Sequence, residues 1–191
     1  LGLFDELNME GEKDLKTIEN HVADYARELE RRLEQDGIDG LETGFRFIDN
    51  RLKGLKAGEV YIVAGRPGSG KSTYALNIAN EIAKDKKAIF FSMEMPSKQV
   101  VQRSVAALGN VEINWLKEGL KNSDEGWAGA TDGMDKLNKS NLIIDDNGFQ
   151  TVNSIRVKCK KQGKLSLVVV DYIQLMTGKG NNRTEEVGEI S

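Results

Sequence analysis

Residues 65–72 read Gly65-Arg66-Pro67-Gly68-Ser69-Gly70-Lys71-Ser72, and this stretch decides the fold of the chain. It matches the phosphate-loop pattern G-x-x-x-x-G-K-[ST]. The glycines let backbone N–H groups turn towards phosphate oxygens, and the helix that follows directs its positive end at the same anion. In this pattern Lys71 reaches the β- and γ-phosphates and the Ser72 hydroxyl binds Mg²⁺. A turn that only capped a helix would not need Lys-Ser directly after the last glycine, so we predict a nucleotide site over residues 65–72 together with Thr73.

The sequence on both sides of this loop alternates between short apolar runs and helical patterns. Candidate strands are residues 60–64, 88–92, 142–145 and 165–171, which are apolar enough to be covered on both faces. Candidate helices are residues 71–84, 97–108, 123–137 and 151–162, with Ser97, Ser123 and Thr151 as N-caps. This order predicts an α/β fold over residues 41–191, with a mostly parallel central sheet and helices on both faces.

Two acidic residues follow predicted strands, where a parallel sheet exposes its ligand crevice. Asp171 ends the apolar run 167–170 and is predicted to hold Mg²⁺ or its water shell. Glu94 follows the run 89–93 and is predicted to polarise the water that attacks the γ-phosphate. A solvated residue at a strand end is the simpler interpretation of each acidic side chain alone. The phosphate loop beside them favours the catalytic interpretation.

The amino-terminal segment, residues 1–40, carries one amphipathic pattern. Its apolar positions are Leu15, Ile18, Val22, Tyr25 and Leu29, spaced three and four residues apart between charged residues. We predict a helix over about residues 15–35, in a linker that precedes the core. The periodicity leaves open whether the apolar stripe packs on its own domain or docks on a neighbouring subunit.

Composition narrows the possible environments and partners of the chain. It has 191 residues, a net charge of −3 and a single cysteine, so no basic field covers the whole protein and no internal disulfide forms. No apolar run approaches the roughly 20 residues that span a bilayer. We therefore expect a cytoplasmic protein without membrane contact. The lysines at 158, 160, 161 and 164 form a basic cluster whose simplest interpretation is a solvated helix face.

Four stretches of this chain together resemble the DnaB family of replicative helicases. The stretches are Gly54-Leu55-Lys56-Ala57-Gly58-Glu59, the phosphate loop itself, Phe91-Ser92-Met93-Glu94-Met95 and Val170-Asp171-Tyr172-Ile173-Gln174-Leu175-Met176. The resemblance extends over most of the chain and implies a RecA-like P-loop ATPase domain behind a linker helix.

The resemblance also implies roles, cofactors and partners. Lys71 and Glu94 match catalytic positions, Ser72 and Asp171 match magnesium positions, and Arg103 matches an arginine that contacts the nucleotide base. ATP and Mg²⁺ are the implied cofactors. The implied partners are single-stranded DNA, identical subunits in a hexameric ring, a primase and a helicase loader. The implied activity is ATP-driven 5′ to 3′ movement of that ring along DNA.

The chain begins at Leu1 and stops at Ser191, and we expect it to be part of a longer protein. The family's sensor glutamine, DNA-binding loops and arginine finger fall beyond Ser191, so weak ATPase activity is expected for this chain alone. A RecA-type recombinase, or another RecA-like ATPase, is the alternative within the same fold. A module that binds ATP only to set its oligomeric state is the alternative from a different class.

Overall fold

A computed structural model describes residues 17–34, 37–118 and 124–171 of the chain. The chain divides into two compact units, Leu1–Asp39 and Gly40–Ser191. The first unit contains one described helix, α1, over Ile18–Glu34. This helix coincides with the predicted amphipathic segment, whose outer positions Leu15 and Gln35 lie outside the described residues. Along α1 the apolar side chains of Ile18, Val22, Tyr25 and Leu29 are all exposed.

The second unit alternates helices with the strands of one parallel sheet. Its described elements in chain order are α2 (Arg46–Leu52), α3 (Lys71–Ile82), β1 (Ala88–Ser92), α4 (Ser97–Leu108), α5 (Ile113–Glu118), α6 (Asp124–Lys139), β2 (Leu142–Asp145), α7 (Val152–Lys161) and β3 (Leu167–Asp171). The strand order is β2-β1-β3, and β1 pairs in parallel with both neighbours. The predicted α/β class with a parallel sheet is confirmed. No described helix is both long and apolar enough to cross a membrane.

The prediction of a strand over residues 60–64 is wrong. Three strands form the sheet in the described part of the chain, and none of their ladders includes residues 60–64. Val60 and Ile62 are each 86% exposed. Apolar, β-branched residues favour an extended backbone, but a strand also needs a hydrogen-bonded neighbour. The composition of residues 60–64 indicates an extended backbone, but it does not indicate whether a neighbouring strand is there to pair with it.

Of the predicted helix N-caps, Thr151 is confirmed and Ser97 is wrong. Thr151 caps α7 as predicted: its side chain accepts from the Ser154 N–H, and the Ser154 hydroxyl accepts from the Thr151 N–H. Ser97 does not cap α4, which begins after Pro96 without a side-chain cap. The Ser97 N–H instead donates to Asp146 Oδ2 at 2.7 Å, across 49 positions of sequence. Ser123 lies outside the described residues.

The core lies around β1, which is buried along its whole length. Phe90 is 0% exposed and packs with Leu76 and Ala79 of α3 and with Val100 of α4. On the outer side, α4 and α6 approach so closely that a Cβ on Gly133 would stand 2.5 Å from the Val105 carbonyl oxygen. Helix α4 is therefore packed tightly between the core on one side and α6 on the other.

We expect Phe90→Ala to lower the free energy of unfolding by about 3–5 kcal/mol, because it leaves a cavity in the central strand. Phe47→Ala is the matched control, since that side chain is 74% exposed and its loss is expected to cost at most about 0.5 kcal/mol. Urea denaturation followed by circular dichroism measures both. Similar losses in the two variants would contradict this assignment of the core.

Candidate nucleotide-binding site

The predicted phosphate loop leads directly into α3. Gly68 and Gly70 have φ angles of 77° and 90°, a left-handed backbone that favours glycine, and Gly70 is the N-cap of the helix. Inside the loop the Ser69 N–H donates to the Arg66 carbonyl at 3.1 Å. The first turn of α3 therefore points its N–H groups and its positive dipole end at the space beside the loop. This is the backbone geometry that an anionic phosphate needs.

The Lys71 side chain extends along the loop that precedes it. Its ammonium group donates to the carbonyl oxygens of Gly65 at 3.0 Å and of Arg66 at 3.2 Å. These acceptors are neutral, and a charged phosphate oxygen forms a shorter and stronger bond with an ammonium group. Lys71 is thus placed where exchanging these carbonyls for phosphate is favourable.

Ser72 and Asp171 meet although 99 positions separate them in the sequence. The Ser72 hydroxyl donates to Asp171 Oδ1 at 3.1 Å, at the point where β3 ends. Asp171 is 7% exposed, and its second oxygen, Oδ2, is buried without a hydrogen-bond partner among the described residues. A buried carboxylate oxygen without a partner is costly unless a proton or a cation compensates it. Hydroxyl and carboxylate oxygens are the ligands that Mg²⁺ prefers, so the two residues fit a magnesium ion.

Glu94 lies at the same edge of the sheet as Asp171. Ser92 pairs with Asp171 in the β1–β3 register, and the Met93 N–H donates to the Asp171 carbonyl at 2.9 Å. Glu94 follows directly, and its side chain is exposed. Neighbouring strands therefore deliver both predicted acidic residues to one rim, beside the start of α3.

Ser92, which no sequence pattern singled out, braces this turn. The buried Ser92 hydroxyl donates to the Met95 carbonyl at 2.7 Å and accepts from the Met95 N–H at 3.3 Å. These two bonds close the backbone around Glu94. Ser92 stands within the stretch quoted for the family resemblance, but its residue type alone does not distinguish a bracing hydroxyl from an ordinary strand residue.

Arg103 of α4 contacts the helix that follows the phosphate loop. Its guanidinium donates from Nη1 to the Thr73 hydroxyl at 3.0 Å. Arg103 also lines a pocket between α4 and α5, together with Gln99, Gln102, Ile113 and Lys117. Arg103 therefore contacts both the first turn of α3 and a pocket that residues of α4 and α5 line.

A polar network holds the rim beyond β2. Gln150 is fully buried, donates from Nε2 to Asp145 Oδ1 and accepts from Ser154 and Lys158 at Oε1. Lys158 also forms an ion pair with Asp145. The neighbouring Asp146 accepts the Ser97 N–H, which holds the pKa of that carboxyl below its ordinary value. Asp145 and Asp146 thus make structural contacts at this rim, and Lys158 pairs with Asp145 although the sequence grouped it with Lys160, Lys161 and Lys164.

The family model and the similar proteins that match this chain belong to one family. The model of the "DnaB-like helicase C terminal domain" matches residues 40–191. The chain is 38% identical to the replicative DNA helicase DnaB of Pasteurella multocida, with 95% of the chain and 41% of that protein aligned. It is 37% identical to DnaB of Geobacillus stearothermophilus, with 94% and 40% aligned. The chain therefore spans about two fifths of the length of these relatives.

Solved structures show the same similarity. The ATPase domain of G40P superposes with a TM-score of 0.83 at 26% identity, and the match covers 93% of this chain and 65% of that one. A DnaB-like replicative helicase, studied with its primase interactions, superposes with a TM-score of 0.79 at 24% identity and covers 92% and 48%. The second match supports the fold alone.

Proposed function

The chain belongs to the DnaB-like helicase family, and we propose from this premise that it is the ATPase core of a replicative DNA helicase. In this proposal ATP hydrolysis drives 5′ to 3′ movement along single-stranded DNA. The observation that supports it most directly is the 3.1 Å contact between Ser72 and Asp171 beside the phosphate loop. That contact brings together two residues 99 positions apart in the sequence, which supports a nucleoside triphosphate site at this point.

We propose ATP and Mg²⁺ as the cofactors of this site. The Ser72 hydroxyl and the Asp171 carboxylate would hold the ion, whose charge neutralises the phosphates when it is bound. The unpaired Asp171 Oδ2 supports this assignment, because a bound cation would satisfy it. The backbone N–H groups of the loop, with Lys71, bind and orient the phosphates.

Glu94 is proposed as the residue that orients the attacking water and accepts its proton. Its exposed carboxylate follows the strand that pairs with Asp171, which supports a position next to the reacting phosphate. Arg103 is proposed to contact the nucleotide base. Its bond to Thr73 supports that role, because Thr73 lies in the first turn of the helix that follows the phosphate loop.

The proposed partners are single-stranded DNA, identical subunits in a hexameric ring, a primase and a helicase loader, in the cytoplasm. The exposed apolar stripe of α1 supports the subunit contact. Ile18, Val22, Tyr25 and Leu29 are 78, 59, 57 and 41% exposed, and burying such side chains against another surface is favourable. We therefore assign α1 to docking on a neighbouring subunit.

Sedimentation velocity tests this assembly. With ATP and Mg²⁺ present, we expect the chain to sediment as an oligomer and a variant lacking residues 1–36 to sediment as a monomer, because the deletion removes the apolar stripe. Leu29→Asp within the complete chain is a milder variant with the same expected effect, and Arg27→Asp on the polar side of α1 is its control. Equal masses for the complete and the shortened chain would remove α1 from the proposed interface.

A further inference from the structure

Lysines from three separate stretches of sequence gather at the edge of the sheet where its strands begin. Asn141, just before β2, donates its N–H to the Ala83 carbonyl and accepts from the Ala88 N–H at the start of β1. The Ser166 N–H, just before β3, donates to the Lys87 carbonyl at 2.9 Å. The Lys87 ammonium donates to the Gln162 carbonyl at the end of α7. The segments that precede β1, β2 and β3 are therefore joined at one edge.

We call this surface the lysine edge. Its six lysines are all exposed: Lys86, Lys87, Lys139, Lys160, Lys161 and Lys164. The basic cluster recognised in the sequence is thereby divided. Lys158 lies with Asp145 at the other end of β2, whereas residues 160, 161 and 164 join lysines from two other stretches. Only the tertiary structure reveals this combination.

Helix ends do not account for the whole of this charge. Lys139, Lys160 and Lys161 occupy the last turns of α6 and α7, where cations favourably oppose the negative dipole end. Lys86 and Lys164 lie outside the helices, in the segments before β1 and β3, whereas the Lys87 ammonium bonds the Gln162 carbonyl at the end of α7. Within residues 84–87, 139–141 and 160–166, Asp85 is the one carboxylate. Glu81, one turn earlier in α3, pairs with Lys84. Each helix end contributes only about −0.5 of a charge, so the edge stays positive on a chain of net charge −3.

The residues between the lysines indicate what kind of partner fits. They are Ser140, Asn141, Gln162, Gly163, Leu165 and Ser166. Leu165 is half-buried, and none of the large exposed apolar side chains in the described part of the chain belongs to this set. Protein interfaces depend on a few buried aromatic, Arg or aliphatic anchors, which this surface lacks. Phosphate backbones are bound by Lys charges with little demand on geometry.

We propose that the lysine edge binds the phosphate backbone of single-stranded DNA. Helix α3 has 12 residues and runs from the phosphate loop to this edge, which puts the two surfaces about 18 Å apart. The edge is therefore a second anion-binding surface, separate from the nucleotide site. The choice of DNA rests on the proposed helicase function, whereas the affinity for a polyanion rests on the lysines alone.

The test is fluorescence anisotropy with a labelled oligothymidylate of about 20 nucleotides, a length that suits single-stranded DNA surfaces. The variant carries Lys86→Gln and Lys164→Gln, two exposed positions outside the helices. The control carries Lys98→Gln and Arg27→Gln, exposed residues of α4 and α1 outside the lysine edge, with the same change in charge. We expect the edge variant to bind about tenfold more weakly at low salt and the control to bind like the unaltered chain. The slope of log K against log salt is expected to fall by about 1.4, since each lost contact with a single strand removes about 0.7.

Three results would overturn the proposal. They are equal affinity of the edge variant and the unaltered chain, equal weakening by the control pair, and displacement of the oligonucleotide by polyglutamate as readily as by unlabelled DNA. The last result would indicate an acidic protein partner instead. Lys86→Arg with Lys164→Arg is expected to retain binding, because the charge is kept. Binding of a fluorescent ATP analogue is expected to stay unchanged in every variant that leaves the nucleotide-contacting residues intact, so failure here leaves the proposed ATPase function untouched.

Discussion

Replacing Glu94 by Gln is expected to lower the rate of ATP hydrolysis by about 10²–10⁴-fold while ATP affinity stays nearly unchanged. The amide keeps the size of the side chain but neither accepts a proton nor attracts the water as a carboxylate does. Because the Ser92 and Met95 bonds that close the turn are made by other groups, the backbone at position 94 is expected to persist in the variant. Phosphate release in the assembled protein and titration with a fluorescent ATP analogue measure the two quantities separately.

The result distinguishes a motor from a module that binds ATP only to assemble. A module without productive turnover would show the same assembly, the same ATP affinity and no rate to lose. Glu42→Gln, at another exposed carboxylate, is the matched control and is expected to leave the rate unchanged. Loss of rate and affinity together in the Glu94 variant would show that the side chain supports the site rather than the chemical step.

The second large effect is expected from Lys71→Ala, which should weaken ATP binding by about 100-fold or more. The ammonium group lies 3.0 and 3.2 Å from the carbonyl oxygens of Gly65 and Arg66. When ATP is bound, it is expected to donate to the charged phosphates instead. Each hydrogen bond to a charged group contributes about 1.5–3 kcal/mol, so the loss of two amounts to at least two powers of ten. Thermal unfolding with and without ATP and Mg²⁺ measures the effect, because a ligand that binds the folded state raises the melting temperature.

Lys84→Ala is the control for that experiment, since Lys84 lies past the other end of α3 and pairs with Glu81. Its melting temperature is expected to rise with ATP as much as that of the unaltered chain. An undiminished rise in the Lys71 variant would contradict the proposed phosphate contact.

Local patterns predicted most elements because each pattern acts through neighbours in sequence. Helix α4 has the predicted bounds, and β1 and β2 occupy the predicted residues. The Thr151 cap was also predictable, because its partner Ser154 is three residues away. Errors arose where the deciding partner is distant. The first turn of α4 is held by Asp146, 49 positions later, and the run 60–64 has strand-forming residues without a ladder partner in the described sheet.

By itself the sequence determined the phosphate loop, the alternation of strands and helices, and the residue types that can bind Mg²⁺ and activate water. Only the tertiary structure decided that the Ser72 hydroxyl meets the Asp171 carboxylate, that the Ser92 hydroxyl closes the turn around Glu94, and that Lys158 separates from the lysines that gather at the sheet edge. The reason is that backbone preferences and capping bonds act within a few residues, whereas strand pairing and buried polar contacts depend on which distant segments come together when the core is buried.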